Sequence, residues 1–406
     1  MANPKLALIP SAYRAGTLYS PLPTNGDGDF TFARNSVATR VSKDGLIEDV
    51  AIDTPRLDYS DGGCPSLLLE PQRTNLITKS NALDDNSVFV GFNNGTTGIS
   101  TQNEIGLDGQ LSAWTFEKVL PSGNTYISIP TNNEHTLSFF AKKQANRGIR
   151  PLVNTTNDTV YISLETGVAY GGSLIGNTTV DEFNSEWWRI SITATATSAR
   201  WFFYLTDGLS TGSVIGSVVV QNFQIEEGSY ATSYIPTNGS ITTRASELCN
   251  NAGTADTFND SEGVLFVEAK FPNTSSTANR YITINDGGGS PYTNQISLYF
   301  LSNTTIFAYI GGVSTATQAF RVDNVDVQDS VFKIAFQYKN GDNKLFFNGV
   351  EYSQQGAFVD SNLSGLNQLD LTLTDLYDFS ANMKIKDLRY YDTVLTDTEL
   401  TALTTL

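Results

Sequence analysis

Carboxylates are the first side chains to consider for catalysis, because glycoside hydrolysis requires two of them beside the scissile bond. A β-strand that presents such a pair carries acidic residues two positions apart. Glu262 and Glu268 are instead six positions apart with apolar residues between them, and Asp370, Asp375 and Asp378 lie in a loop-like segment. The sequence therefore predicts that the protein is not an enzyme, with a polysaccharide hydrolase or lyase as the alternative.

The chain has a single histidine, His135, so a Ser–His–Asp or Cys–His arrangement would depend on it alone. It stands at the start of a predicted strand, and we interpret it as a surface loop histidine. Residues 286–291 are glycine-rich but lack the Gly-Lys-Ser/Thr ending of a phosphate loop. They are interpreted as a long turn.

Metal and thiol chemistry have few candidate residues. Residues 25–29, Asn-Gly-Asp-Gly-Asp, alternate carboxylates that could bind Ca²⁺, but the Glu that ends an EF-hand loop is missing, so a polar turn is expected. No cofactor is predicted; a structural Ca²⁺ elsewhere stays an open alternative, with unknown ligands.

Cys64 and Cys249 are the only cysteines. Free buried thiols are predicted, with a bridge between the two as the alternative.

Composition limits the partners. The 406-residue chain carries 42 acidic and 25 basic residues, a net charge of −17. Because phosphate contacts require Lys and Arg, this charge argues against nucleic-acid binding and against anionic membranes. The apolar run near the N-terminus is too short for a signal segment or a membrane span, so a soluble protein made in a cytoplasm is expected.

The pattern of elements predicts an all-β protein with two β-sandwich domains behind a loop-rich N-terminal segment. We place the segment at residues 1–75 and the sandwiches at residues 76–249 and 250–406. In the second block, Trp188, Ile190 and Ile192 share one strand face while Trp187 points to the other, and short alternating strands of this kind are typical of sandwiches.

The third block has two precise local signals. Asn348-Gly349 between Lys344–Phe347 and Val350 predicts a two-residue hairpin. Thr396 and Glu399 have the spacing of a capping box and predict a short helix that ends near Leu403. Earlier in the chain, Leu67 to Leu69 is expected to pair with a neighbouring sheet.

Four segments carry a resemblance to a known family: FTFARNSVATRVSKDGLIEDV, PRLDY, CPSLLLEPQRTNLITKSN and QIEEGSYATSYIPTNGSITTRASELCNN. Their order and spacing resemble structural proteins of tailed-bacteriophage virions, in which the part between Asn75 and Arg244 is a carbohydrate-binding-module-like jelly roll. The KLFFNGVEY hairpin and the MKIKDLRYYDTVLTDTELTAL strand and helix are similar to concanavalin A-like, laminin-G-type lectin domains. This second pattern is shared by lectins, adhesins and enzymes, so it indicates fold better than function.

The resemblance implies a virion structural or adhesion protein, such as a head or tail fibre, a decoration protein or a tail appendage. It would be assembled in the host cytoplasm, bind other virion proteins, form a homotrimer, and contact bacterial surface glycans. A purely architectural capsid or tail protein is the further alternative.

Two sets of residues are the candidates for these contacts. Sugars stack on exposed aromatic rings, so the glycan-binding candidates are Trp187, Tyr204 and Tyr292. The arginines of the opening stretch could pair across subunits and are the assembly-interface candidates: Arg34, Arg40, Arg56 and Arg73. Local ion pairs with nearby carboxylates such as Glu48 and Asp58 are the simpler interpretation of the same arginines.

Overall fold

The computed structural model describes residues 2–128, 133–153, 156–195, 200–272, 279–287, 294–301, 304–311, 317–325, 327–354, 363–372 and 382–406. Strands dominate these residues, with one α-helix and one short 3₁₀ turn among them, and the predicted all-β class is confirmed.

In the first part of the chain the strands are β1 Leu6–Leu8, β2 Tyr13–Arg14, β3 Thr17–Leu18, β4 Phe30–Ala33, β5 Ala38–Val41, β6 Ile47–Val50, β7 Arg56–Asp58, β8 Ser66–Leu69 and β9 Arg73–Asn75. In the middle they are β10 Phe89–Val90, β11 Gly98–Glu104, β12 Ala113–Lys118, β13 Tyr126–Ser128, β14 Glu134–Lys142, β15 Gly148–Val153, β16 Asp158–Thr159, β17 Tyr161–Ser163, β18 Ala169–Gly171, the 3₁₀ turn Ile175–Asn177, β19 Thr178–Glu182, β20 Trp187–Thr195, β21 Arg200–Thr206, β22 Gly216–Glu227 and β23 Thr242–Arg244. The last part contains β24 Leu248–Asn250, β25 Glu262–Lys270, β26 Arg280–Asn285, β27 Gln295–Leu301, β28 Thr305–Ile310, β29 Thr317–Asp323, β30 Val331–Lys339, β31 Lys344–Phe347, β32 Val350–Tyr352, β33 Gln368–Asp370, β34 Met383–Tyr391 and the helix α1 Asp397–Thr404.

The chain folds into two compact units. Unit 1 comprises Met1–Lys43, Val50–Gln72 and Ala245–Leu406, and unit 2 comprises Asp44–Asp49 and Arg73–Arg244. In chain order, most of unit 2 is therefore inserted between two parts of unit 1. The strands of the N-terminal residues are distributed over both units, and the predicted block boundaries near residues 75 and 249 stay a prediction.

Unit 1 is a β-sandwich. Its larger sheet has the order β32-β31-β30-β25-β34-β8-β7, with β1 also pairing with β34, and its five-stranded sheet has the order β29-β28-β27-β26-β33. Both sheets bury alternate side chains in one core, which includes Leu265, Phe336 and Ile296. Leu69 of β8 is the register partner of Met383, so the predicted pairing of this leucine run with a neighbouring sheet is confirmed.

The opposite face of the larger sheet is covered by α1, whose Leu400 and Leu403 pack with Val264 and Phe266. Both predicted local signals are confirmed. Thr396 and Glu399 form a complete capping box at the start of α1. Phe347 and Val350 pair across the Asn348-Gly349 turn, where both turn residues have positive φ, as a type I′ hairpin requires.

Unit 2 is a second β-sandwich. Its six-stranded sheet has the order β11-β12-β22-β14-β20-β19, and its seven-stranded sheet has the order β10-β13-β21-β15-β17-β18, with β16 also pairing with β15. The two sheets share a core in which Phe139 of β14 meets Phe203 of β21 at a ring distance of 5.2 Å. Among the described residues, no helix has the length and apolar character needed to cross a bilayer.

Candidate functional site

One side of the seven-stranded sheet of unit 2 carries a set of aromatic rings that does not belong to the core. The core of unit 2 contains three residues of β21: Trp201, Phe203 and Leu205. Because successive side chains of a strand point to opposite sides of the sheet, Phe202 and Tyr204 lie on the other side. The same alternation on the neighbouring strands completes a surface that we call the aromatic face: Tyr126, Arg150, Tyr161, Tyr170, Phe202 and Tyr204.

The register of the sheet brings these rings into contact. Phe202 is the cross-strand partner of Tyr126, with ring centroids 5.2 Å apart. Along β21, Phe202 and Tyr204 lie 6.2 Å apart with nearly parallel rings. Tyr161 and Tyr170 form a second pair at 5.8 Å. With strands about 4.8 Å apart, rings from β13 to β18 cover a surface about 19 Å across.

Cationic groups lie between and beside the rings. The guanidinium of Arg150 stands over two of them, with Cζ 5.2 Å from the Tyr161 centroid and 5.5 Å from the Tyr204 centroid. Arg200 covers the Tyr126 ring at 4.5 Å, and Nζ of Lys118 lies 5.3 Å from the Tyr204 ring. Such cation–π contacts hold both the ring and the cation in place.

Several polar groups of the face are open to a ligand. The Tyr170 hydroxyl is engaged, because it contacts Thr206 Oγ1 at 3.0 Å and donates to the Ser210 carbonyl at 2.9 Å. The hydroxyls of Tyr126, Tyr161 and Tyr204, by contrast, make no hydrogen bond to any described residue. Partial burial raises the pKa of Tyr204, so its hydroxyl stays neutral and can both donate and accept near neutral pH.

This combination of groups suits a saccharide. Half-buried rings in fixed positions offer apolar surfaces on which a pyranose can stack, while neighbouring hydroxyls and a guanidinium can bond its hydroxyls. The sheet and the contacts between the rings already hold these side chains in position. Binding a ligand would therefore cost little side-chain conformational entropy.

Of the three glycan-binding candidates from the sequence, Tyr204 lies on this face. The choice of Trp187 is corrected, because its ring is only 3% exposed and packs with Leu107, Ala113 and Phe140 on the far side of the six-stranded sheet. The expected opposite orientation of Trp187 and Trp188 is found, but both sides of this sheet are covered. Tyr292 lies outside the described residues.

The sequence reasoning missed the other aromatic residues and Arg150, although a signal existed. Tyr126-Ile127 and Tyr161-Ile162 both place a buried isoleucine next to the tyrosine, and each isoleucine lies in the core. The alternation of a strand therefore predicts that both tyrosines face away from it.

The assembly-interface candidates are corrected in part. Arg34 and Arg56 are buried, and their side chains carry ion pairs inside unit 1 with carboxylates far away in the sequence. Arg56 binds Glu70 at 2.8 Å and Glu247 through Nε at 2.8 Å, while Arg34 binds Glu247 at 2.8 Å. Fully buried guanidiniums cannot reach another subunit, and the partners are not the nearby carboxylates of the simpler interpretation.

The two remaining arginines are half-buried. Arg40 stands over the Tyr13 ring at 5.7 Å, and Arg73 stands over the Tyr230 ring at 4.7 Å. Their role in an assembly interface stays a prediction.

The interpretation of His135 is also corrected. It was expected in a surface loop but lies in β14 with its side chain completely buried, because its ring fits between Asn133 and Trp201. Burial lowers the pKa of His135. The expectation of free thiols is confirmed, since Cys64 and Cys249 are unpaired, but Cys64 is exposed rather than buried.

The described carboxylates that were considered for hydrolysis form ion pairs or accept hydrogen bonds. Glu262 pairs with Lys339 at 2.7 Å and Glu268 with Lys333 at 3.8 Å. Asp370 accepts hydrogen bonds from the Asn251 backbone, Asn285 and Gln368, each at 2.8 Å. Asp375 and Asp378 lie outside the described residues.

No metal centre is formed by the described residues, in which no group of three or more His, Cys, Asp or Glu side chains could hold an ion. At the turn considered for Ca²⁺, Asn25 donates to Asp27 at 2.6 Å, and Asp29 accepts from the Ser20 backbone at 2.8 Å. These contacts are those of a polar turn.

Residues 208–212, Gly-Leu-Ser-Thr-Gly, fit the spacing of a G-x-S-x-G motif. In hydrolases this motif forms a sharp turn from a strand into a helix. Here it follows β21 and leads to the strand β22, and Ser210 Oγ donates to Asp207 at 3.0 Å. The match is therefore a strand-to-strand turn and not a nucleophile elbow.

Comparison with known proteins gives structural likenesses only. No protein-family model and no curated protein matches the sequence. Among solved structures, the chain is similar to the CBM40 module of the Ruminococcus gnavus IT-sialidase bound to α2,3-sialyllactose (20% identity, 36% of this chain and 84% of that chain, TM-score 0.30). It is also similar to domain 4 of AbnA, a GH43 arabinanase from Geobacillus stearothermophilus (19%, 44% and 83%, 0.31), and to mouse laminin α1 domains LG4-5 (11%, 66% and 86%, 0.24). We therefore base the fold on the sheets themselves and the candidate site on its geometry.

Proposed function

We propose that the protein is a non-catalytic, glycan-binding structural protein of a tailed-bacteriophage particle. The observation that carries the glycan-binding part is the aromatic face of unit 2. It combines half-buried tyrosine rings, three tyrosine hydroxyls without a described partner, and a guanidinium between two rings. A protein surface with this composition is suited to stacking and to hydroxyl recognition together.

The particle part of the proposal is supported by the order and spacing of the N-terminal segments that resemble tailed-phage structural proteins. In this role the protein binds other virion proteins as a homotrimer, and unit 2 presents the aromatic face to bacterial surface glycans. Immunogold electron microscopy of purified particles, together with light scattering of the isolated protein, tests this part. A protein absent from the particles, or one that is monomeric alone and in mixture with the other virion proteins, contradicts it.

The non-catalytic part is supported by the occupied carboxylates. Glu262 and Glu268 are neutralised by lysines, and Asp370 accepts three hydrogen bonds, so none of them is placed as an acid or a nucleophile. Release of reducing sugars from host polysaccharide by the purified protein would contradict this part.

The glycan-binding part is tested by replacing Tyr204→Ala and measuring binding on an array of bacterial glycans. Loss of a central stacking ring is expected to lower the affinity about tenfold or more, about 1.4 kcal/mol. Tyr309→Ala is the matched control, because Tyr309 is also a half-buried tyrosine in an aromatic stack, 5.6 Å from Phe307, but on the five-stranded sheet of unit 1. Equal binding by wild type and Tyr204→Ala, or no binding by the wild type, contradicts the proposal.

A further inference from the structure

Arg150 combines aromatic contacts on two sides with the absence of a described carboxylate partner. Its side chain is half-buried on the aromatic face, and its Nε donates to Thr159 Oγ1 at 3.3 Å. Among the described residues, neither Nη1 nor Nη2 has an acceptor and no carboxylate forms an ion pair with the group. The terminal nitrogens of the guanidinium are thus positioned by ring contacts while their hydrogen-bonding capacity stays unused.

A second cation, Lys118, lies near the Tyr204 ring, with Nζ 5.3 Å from its centroid. Lys118 is 1% exposed, donates to the Gly123 carbonyl and to Thr125 Oγ1 at 2.9 Å, and has no carboxylate partner among the described residues. Burial lowers its pKa to about 8, so it is still mainly protonated at neutral pH. The Tyr204 ring therefore has two cations near it, neither of which forms an ion pair with a described acid.

Two acids near the face accept hydrogen bonds from other groups, and neither forms an ion pair with Arg150. Asp158 accepts from Ser173 at 2.7 Å, and Asp207 accepts from the backbone of its own turn. On the five-stranded sheet of unit 1, Arg321 also covers an aromatic ring, at 5.5 Å from Phe307, but there Asp323 binds its Nε at 2.9 Å. Arg150 thus differs from Arg321 in that no described carboxylate binds its guanidinium.

A half-buried guanidinium loses hydration, and Nη1 and Nη2 of Arg150 have no acceptor among the described residues to compensate for that loss. An anionic ligand group restores that loss, and a carboxylate matches the fork of the guanidinium with two parallel hydrogen bonds. We propose, as an extension of the proposed function on which it rests, that the aromatic face selects acidic glycans. The sugar carboxylate binds Nη1 and Nη2 of Arg150, and the pyranose ring stacks on Tyr204.

The test measures selectivity with matched probes by calorimetry on the full chain. The probes are trigalacturonate against its methyl ester, and 3′-sialyllactose against lactose, beside an array of neutral and acidic glycans. The wild type is expected to bind at least one acidic probe about tenfold tighter than its neutral partner. Because salt screens charge contacts, this ratio should fall as NaCl rises from about 0.05 to 0.5 M. Arg150→Gln should weaken binding of the acidic probe about tenfold more than binding of its neutral partner and so bring the ratio close to one, whereas Arg321→Gln should preserve the ratio.

The outcomes separate the two proposals. Glycan binding by the wild type with an acidic-to-neutral ratio near one, or with a ratio that survives in Arg150→Gln, overturns the acidic selectivity and leaves the glycan-binding function standing. Absence of any glycan binding overturns the proposed function itself. If thermal melting shows that Arg150→Gln is unfolded, the salt dependence of the wild-type ratio decides, and a ratio that does not change with salt overturns the selectivity.

Discussion

Trp201 donates its indole N–H to Nε2 of His135 across 3.1 Å inside the core of unit 2. The other ring nitrogen of His135, Nδ1, lies 2.9 Å from the Asn133 carbonyl. Because Nε2 accepts a hydrogen bond, the proton of the neutral imidazole belongs on Nδ1, where it is donated to Asn133. Protonation of Nε2 would place two donors against each other, in agreement with the lowered pKa of His135.

This pair predicts a loss of stability in mild acid. Burial lowers the pKa of His135 in the folded protein. Below about pH 6.5, this histidine therefore binds a proton in the unfolded chain while it stays neutral in the folded chain. The free energy of unfolding should therefore decrease as pH falls from about 6.5 towards the folded pKa. Urea unfolding of the wild type at pH 7.5 and pH 5.5 measures this free energy. In His135→Gln, the free energy of unfolding should decrease less between the same two pH values. An identical decrease in both proteins would show that other groups are responsible; His135 is the only histidine in the chain.

Replacing Arg56→Met should strongly destabilise unit 1. The substitution leaves Glu70 and Glu247 buried without the guanidinium that binds both, and a broken buried pair costs about 3–5 kcal/mol. The free energy of unfolding from denaturant titration measures the effect.

Lys339→Met is the matched control for Arg56→Met. It removes the partner of Glu262 in an exposed pair, and such pairs contribute little to stability because water screens the charges. Equal losses in the two variants would contradict a special role for the buried pair.

The two cysteines should differ in reactivity. Cys64 is exposed, whereas Cys249 is completely buried and its pKa is raised by burial, so its reactive thiolate is scarce. Titration with a disulfide reagent should detect one thiol in the native protein and both after denaturation. Cys64→Ser provides the control, with no fast-reacting native thiol. Two fast thiols in the native wild type would show that Cys249 is accessible.

Local patterns in the sequence predicted much of the fold. The Asn348-Gly349 turn and the Thr396 capping box formed as expected, and Leu67 to Leu69 paired with a neighbouring sheet. The turn and the capping box depend only on residues that are close in the sequence, so a short sequence pattern is enough to predict each of them.

The site residues were harder to predict, because their burial depends on what packs against each sheet face. Alternation correctly separates Trp187 from Trp188 but cannot show that Leu107 and Phe140 cover the outward side. Likewise, nothing near Arg56 in the sequence indicates that its partner is Glu247, a contact between residues 191 positions apart. Predicting the aromatic face would have required the pairing of β13, β21, β15 and β17, which is known only from the folded sheet.

The insertion of unit 2 has a consequence for how such proteins can be changed. Arg73 and Arg244 are register partners in the short β9–β23 ladder, so their Cα atoms lie about 5 Å apart. A bridge of two or three residues between Gln72 and Ala245 could replace everything from Arg73 to Arg244 without stretching the host chain. The ladder thus brings the two ends of the inserted segment together, while residues 44–49 of unit 2 come from the preceding part of the chain.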